Sequence, residues 1–114
     1  PSSLMLALMA SGLNGQSFRF NGYLPVKRAE RVKAIKELEQ RAQRQDETQI
    51  FIETPYRNEA LLEDLLASCH GATRLCIAVD LSMEKEMIGT KTIPEWKKKK
   101  PALHKRPAVF LIGK

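Results

Sequence analysis

The chain has 114 residues, 43% of them hydrophobic and 28% charged, which suffices for one globular domain with a modest core. Its formal charge of +6 and pI near 9.6 are compatible with nucleic acid or another polyanion, although solubility alone accounts for an excess of that size. The apolar runs are far too short to span a membrane, no secretory leader is visible, and the two cysteines, Cys69 and Cys76, have no metal-ligand spacing, so both read as buried thiols of a cytoplasmic, reducing compartment.

In chain order, Ser2 or Ser3 caps a helix that runs to about Ser11 and stops at Gly12. Leu4, Met5, Leu8 and Met9 cover much of its circumference, so the helix is expected to be well buried, with its methionines as core filler. Pro1 is not an initiator, and Ser2-Ser3 reads as entry from a preceding element. The expectation is a single domain over residues 1–114 that forms the C-terminal half of a longer chain. Asn14-Gly15 marks a turn. Ser17 to Tyr23 alternates, with Phe18 and Phe20 on one face and Arg19 and Asn21 on the other, as in a half-buried strand that ends at Pro25.

Lys27 to about Gln43 has the clearest helical period, carried by Val32, Ile35 and Leu38. Lys27, Arg28, Arg31, Lys33 and Lys36 crowd its first half. Cations favour the other end of a helix dipole, so this cluster invites an anion. The plain alternative is a solvated face with Glu30, Glu37 and Glu39 supplying local pairs. Thr48 to Ile52 is a β-rich run that breaks into Glu53-Thr54-Pro55-Tyr56-Arg57. Thr54 can cap and Pro55 can open the helix that follows, over 59–69, with Leu61, Leu62, Leu65, Leu66 and Cys69 inward. His70-Gly71 ends it, and His70 is most simply a helix-end residue. Leu75 to Leu81 reads as a buried strand, Met87 to Ile93 as a short edge strand, Pro94 to Lys100 as a short helix with a solvated lysine run, and Pro107 to Ile112 as a last buried strand. The pattern predicts an α/β or α+β two-layer domain, with a mixed sheet of about five strands and flanking helices.

No glycine-rich dinucleotide loop, P-loop, nucleophile elbow or HExxH helix is present. Ligands of α/β folds gather beyond the carboxyl ends of strands. That makes Glu53, Tyr56, Arg57 and Asp80 the positions to watch. The competing account is a capped turn with Arg57 in a surface ion pair. By charge alone Lys27, Arg28, Arg31, Arg57 and Lys91 are candidates for phosphate contacts, and Tyr23 and Tyr56 for stacking on a base or ring.

The ordered set Pro1-Ser2-Ser3-Leu4 to Ala10-Ser11-Gly12, Phe18-Arg19-Phe20-Asn21-Gly22-Tyr23-Leu24-Pro25, Phe51-Ile52-Glu53-Thr54-Pro55-Tyr56-Arg57 and Ala78-Val79-Asp80-Leu81-Ser82 resembles the C-terminal half of the tetrapyrrole methylase superfamily of S-adenosylmethionine-dependent methyltransferases. Among its branches the sequence is most similar to the ribosomal RNA 2′-O-ribose cytidine methyltransferases, with their Phe-Leu-Pro and Glu-Ser-Pro-His-Arg motifs. The resemblance implies a two-domain, homodimeric enzyme with S-adenosylmethionine in the interdomain cleft and most of the cofactor pocket in an N-terminal domain. It implies cofactor contacts at Ser2 and Ser3, at Glu53, at Leu81 and at Pro107-Ala108, largely through the backbone. The chain departs from the branch where Val79-Asp80-Leu81-Ser82-Met83 replaces Arg-Glu-Leu-Thr-Lys, losing two cations, and where Tyr56 replaces histidine. Methyl transfer would be direct, with the protein orienting the nucleophile and excluding water. A general base would serve a hydroxyl acceptor, and Glu53 qualifies only if it faces the cleft. RNA is the expected acceptor. A tetrapyrrole or other small metabolite, or a non-catalytic basic RNA-binding or dimerisation module, are the alternatives.

Overall fold

The computed structural model describes residues 3–114. Pro1 and Ser2 lie outside the described residues, and with them the contact expected at Ser2. Helix α1 (Ser3–Ser11) is followed by β1 (Phe18–Tyr23), α2 (Arg28–Gln45), β2 (Thr48–Ile52), a single 3-10 turn (Pro55–Arg57), α3 (Asn58–Ser68), β3 (Arg74–Val79), β4 (Met87–Thr92), α4 (Ile93–Lys98) and β5 (Ala108–Gly113). The strands form one sheet in the order β1-β2-β5-β3-β4. Only β1 and β2 are parallel neighbours; β2–β5, β5–β3 and β3–β4 pair antiparallel. The last strand in sequence is therefore the middle one in space. Its Ala-Val-Phe-Leu-Ile-Gly run is buried throughout, which is why it reads as a continuous apolar stretch and not an alternating one.

Period-two alternation divides the sheet into two faces. Phe51, Leu75, Ile77, Val79, Phe110 and Ile112 point to one side, where they meet Ile35 of α2, the leucines of α3 and Trp96 of α4. Phe51 and Phe110 stack across the β2–β5 pair with centroids 6.0 Å apart. Trp96 buries its ring, and its indole N–H donates to the Leu75 carbonyl at 2.7 Å. On the opposite face Ile50, Cys76, Ala78, Val109 and Leu111 are covered by Ala7, Leu8 and Leu13 of the α1 region. Gly113 permits that approach, because a Cβ there would sit 2.9 Å from Leu13 Cδ2. Thr90 Oγ1 donates to the Ser11 carbonyl at 2.7 Å and ties α1 to β4.

The α1 layer is thinner than its sequence suggests. Met5 is 44% and Met9 78% exposed, so the methionines are not core filler. A lone helix on a sheet buries one stripe, here Ala7, Leu8 and Ser11. Phe18 and Phe20 share a face with Thr48 and Ile50 across the parallel ladder, but they lie on an edge strand beyond the reach of α1 and stay exposed.

Two buried carboxylates join the helices. Asp64 of α3 accepts from Arg31 Nε at 2.7 Å, with both side chains buried, and from the exposed Arg28 Nε at 3.1 Å. Arg31 also donates to the Val26 carbonyl at 3.1 Å. Glu39 of α2 accepts from the His70 amide at 2.7 Å and from Thr73 Oγ1 at 2.6 Å, closing the turn after α3. Burial, with the Glu39 carboxylate beside it, pushes the Cys69 thiol up to about 12. Among the described residues no helix is long and apolar enough to cross a membrane.

Candidate functional site

The β3–β5 and β5–β2 pairings are both antiparallel, so β3 runs in the same direction as β2. The carboxyl ends of β2 and β3 and the amino end of β5 therefore meet on one edge of the sheet. A cavity of about 330 Å³ opens there, lined by Ser3, Ile52, Glu53, Pro55, Ala78, Asp80, Leu81, Met83, Pro107, Ala108 and Val109. That volume lies at the lower end of the roughly 300–1,000 Å³ usual for small-molecule sites. Its walls are mostly apolar, with two carboxylates, and no Lys or Arg lines it.

Glu53 follows the last residue of β2, and its side chain is 1% exposed. Oε1 accepts from the Thr54 amide at 2.7 Å and lies 3.5 Å from Arg57 Nη1. Oε2 is buried with no hydrogen-bond partner among the described residues. Thr54 makes no side-chain cap, contrary to the sequence expectation. Glu53 instead holds the first free amide of the turn, while Pro55 occupies the first position of the 3-10 turn, where no donor is needed. Arg57 Nη1 lies 3.5 Å from Glu53 Oε1, a long contact between a half-exposed guanidinium and a buried carboxylate, not the surface ion pair of the plain reading.

The opposite wall is built by two loops clipped together. Asp80 has φ of +51° and Ser82 +64°, and Lys105, ahead of β5, has +59°. Three of the four non-glycine residues with positive φ among those described thus sit in the loops beside the cavity. L-residues visit that region at a cost of about 1–2 kcal/mol each, so other contacts must hold them. Arg106 supplies these contacts. Its Nε donates to Asp80 Oδ2 at 2.8 Å, Nη1 to the Ala102 carbonyl at 2.8 Å and Nη2 to the Lys85 carbonyl at 3.0 Å. Its own carbonyl accepts from Asn58 Nδ2 at 2.6 Å. The Asp80 amide donates to the Pro107 carbonyl at 3.0 Å and the Lys105 amide to the Pro55 carbonyl at 3.3 Å. Sequence reasoning missed Arg106, because a basic residue before a strand carries no signal of the loops it will bridge.

Of the residues singled out from sequence, Ser3, Glu53, Leu81, Pro107 and Ala108 line this one cavity. Tyr23, Lys27, Arg28, Tyr56 and Arg57 belong to segments that leave the sheet on the same edge. Tyr23 is 63% and Tyr56 75% exposed, and Lys105 Nζ stands 5.8 Å above the Tyr56 ring. Two candidates are not brought to this edge surface. Arg31 is turned inward onto Asp64, because its position falls on the buried stripe of α2. Lys91 pairs with Leu75 near the far end of β4, while Met87 at the near end pairs with Val79. Its ammonium lies over Trp96 at 4.7 Å. Among the described residues no three His, Cys, Asp or Glu side chains group as a metal would need.

No protein-family model matches the chain. It is 34% identical over 88 residues to the ribosomal RNA small subunit methyltransferase I of Vibrio cholerae, a match over 77% of this chain and 29% of that protein. It is 34% identical over 93 residues to the protein of the same name from Pseudomonas aeruginosa, over 82% of this chain and 32% of that one. The chain thus spans about a third of the length of these curated relatives. In three dimensions it is similar to the cobalt precorrin-4 methyltransferase CbiF, with a TM-score of 0.62 at 12% identity over 98% of this chain and 48% of that one. The methyltransferase CobJ gives a TM-score of 0.56 at 19% identity over 96% and 46%. The uroporphyrin-III C-methyl transferase from Thermus thermophilus, in complex with S-adenosyl homocysteine, gives 0.53 at 18% over 95% and 49%.

Proposed function

From a chain that has half of the tetrapyrrole methylase fold and is a partial match to the ribosomal RNA small subunit methyltransferase I, we propose that this is the C-terminal domain of an S-adenosylmethionine-dependent methyltransferase acting on RNA in the cytoplasm. The observation that carries the proposal is the convergence of Ser3, Glu53, Leu81, Pro107 and Ala108, which are scattered along the sequence, on one cavity at the carboxyl edge of the sheet.

The residues present fit the cofactor. Ile52, Ala78, Leu81, Ala108 and Val109 offer apolar walls to a purine, and the carboxylate of Glu53, whose Arg57 contact is long at 3.5 Å, suits a ligand that carries a sulfonium charge. When bound, the cofactor supplies an electrophilic methyl group that needs no further activation. This domain then has three tasks: to hold the ligand against the ends of β2, β3 and β5, to exclude water with its apolar walls, and to orient the acceptor. With no cation among the described residues that line the cavity, phosphate contacts would fall to cations of the segments that leave the sheet on the same edge, Lys27, Arg28 and Arg57, with Tyr23 and Tyr56 available for stacking. The uncovered apolar side chains of the α1 side, Met5, Met9, Phe18 and Phe20, support a covering partner, the N-terminal domain or the second subunit of a homodimer.

A small-metabolite acceptor is the second reading. It is favoured by the loop after β3, where Asp80 is neutralised by Arg106 and the two cations of the ribosomal branch are missing. Calorimetric titration of S-adenosylmethionine and S-adenosylhomocysteine into the intact protein tests the assignment, with saturable binding expected. Labelled-methyl transfer to total RNA then separates the two acceptors. An intact, folded protein that binds neither compound overturns both and leaves a basic binding module, for which weak and strongly salt-dependent RNA affinity is the signature.

A further inference from the structure

A carboxylate buried with one oxygen unpartnered is costly unless something else donates to it. Glu53 is in that state. Its side chain is 1% exposed, Oε1 is occupied by the Thr54 amide at 2.7 Å with Arg57 at 3.5 Å, and Oε2 has no partner. The residue lines the cavity, as do Ile52 and Asp80. The other carboxylate of the cavity differs, because Asp80 already accepts from Arg106 at 2.8 Å. Asn58 Oδ1 is also buried and unpartnered, but Asn58 does not line the cavity. Among the described residues that line the cavity, only Glu53 therefore combines a buried position with an unpartnered acceptor.

We propose that Glu53 Oε2 is the acceptor for an O–H or N–H group of the ligand seated in this cavity, so that Glu53 fixes that group's orientation by one charge-assisted hydrogen bond. The inference rests on the methyltransferase reading and names a specific atom within it. Two sources can provide the donor: a hydroxyl or amino group of the cofactor, or the hydroxyl or amino group that receives the methyl. The geometry also predicts how an isosteric change acts. The Thr54 amide and Arg57 both demand an oxygen at the Oε1 position. In Glu53→Gln the amide nitrogen must then take the Oε2 position, and an acceptor becomes a donor facing a donor.

The test is isothermal titration of S-adenosylhomocysteine into the intact wild-type protein, Glu53→Gln and Glu53→Asp, with thermal unfolding of each as a check on folding. The aspartate variant keeps the charge and withdraws the carboxylate by one methylene. Analogues of S-adenosylhomocysteine that each lack one donor (2′-deoxy, 3′-deoxy, N6-dimethyl and deamino) are titrated alongside. A loss of roughly 10- to 100-fold in both variants, matched by one analogue in the wild type and not compounded in Glu53→Gln, places the donor on the cofactor and supports the proposal. Unchanged S-adenosylhomocysteine affinity with a loss of at least about tenfold in kcat/KM for the acceptor places the donor on the acceptor and also supports it. Folded variants that match the wild type in both measurements overturn it. A wild-type protein that binds no cofactor overturns the functional assignment instead, and a binding wild type with indifferent variants overturns this inference alone.

Discussion

Buried carboxylates occur in two regions of this molecule, and their surroundings differ. Under the helices, Asp64 and Glu39 each accept two hydrogen bonds from groups of the chain itself: Arg28 and Arg31 in one case, the His70 amide and Thr73 in the other. At the carboxyl edge of the sheet, Glu53 is as deeply buried but keeps one oxygen without a partner. The backbone follows the same division, since three residues with strained positive φ gather beside the cavity, while α2 and α3 pack as regular helices. A satisfied buried charge holds elements together. An unsatisfied one, in a wall with three positive-φ residues beside it, leaves an acceptor free for a ligand under the proposal above. The two regions should therefore respond in opposite ways to the same kind of substitution.

The largest effect belongs to the helical side. Asp64→Ala leaves the Arg31 guanidinium buried with only the Val26 carbonyl as partner, and breaking a buried pair in this way costs about 3–5 kcal/mol. Urea unfolding should show the loss as a lower midpoint at unchanged slope. A double replacement, Arg31→Met with Asp64→Leu, should recover most of it, because no charge is then stranded. Exposed Arg28 contributes little, so Arg28→Ala should move the midpoint hardly at all. A small effect of Asp64→Ala would break the comparison at its stronger end.

The next effect is on the turn closed by Glu39. Glu39→Ala leaves the His70 amide without its acceptor and the Thr73 hydroxyl with Gln43 alone, and should cost about 2 kcal/mol. It also removes a carboxylate next to Cys69, whose thiol is held up to about 12 by burial first and Glu39 second. The sign follows from the raised value. Below pH 9 the thiol is protonated in folded and unfolded chains alike, and it contributes no pH dependence. Above pH 9 only the unfolded chain loses the proton, so stability falls between pH 9 and about 12. Equilibrium unfolding of wild type and Cys69→Ala across that range should differ by a slope approaching about 1.4 kcal/mol per pH unit. Parallel curves would mean that the thiol is not shielded.

How much of this was legible in the sequence depends on whether the information was local. The helical period of α2, the Pro55 turn, the leucine stripe of α3 and the buried run of β5 were all readable, because each is written in neighbouring residues. Ser3, Glu53, Leu81 and Pro107-Ala108 were singled out only through the family resemblance, as cofactor contacts, and the fold puts them around one cavity. Burial decided by partners far along the chain was not readable. Arg31 looked like one more cation of a basic helix start until Asp64, 33 residues on, turned it inward. Phe18 and Phe20 alternate as a half-buried strand should, but nothing local says that α1 stops short of them. The clip made by Arg106 joins two loops and the start of α3, which lie far apart in the sequence, and no pattern announces it.

The smallest prediction concerns the strained wall of the cavity. Lys105 holds φ of +59°, and its backbone amide donates to the Pro55 carbonyl at 3.3 Å. Both features survive replacement by glycine, which adopts that conformation without penalty but pays in unfolded-state entropy. With a cost of about 1–2 kcal/mol for an L-residue there set against about 0.5–1 kcal/mol for the entropy of glycine, Lys105→Gly should stabilise the domain by up to about 1.5 kcal/mol, visible as a higher thermal midpoint. The change also removes the ammonium above Tyr56, an exposed contact of roughly 0.5–1 kcal/mol, so the measured gain should be smaller in this chain than in a Tyr56→Leu background. If Lys105→Gly is destabilising in both backgrounds, the strain in this loop is not real, and the contrast between the relaxed helical side and the strained edge then rests on Glu53 alone.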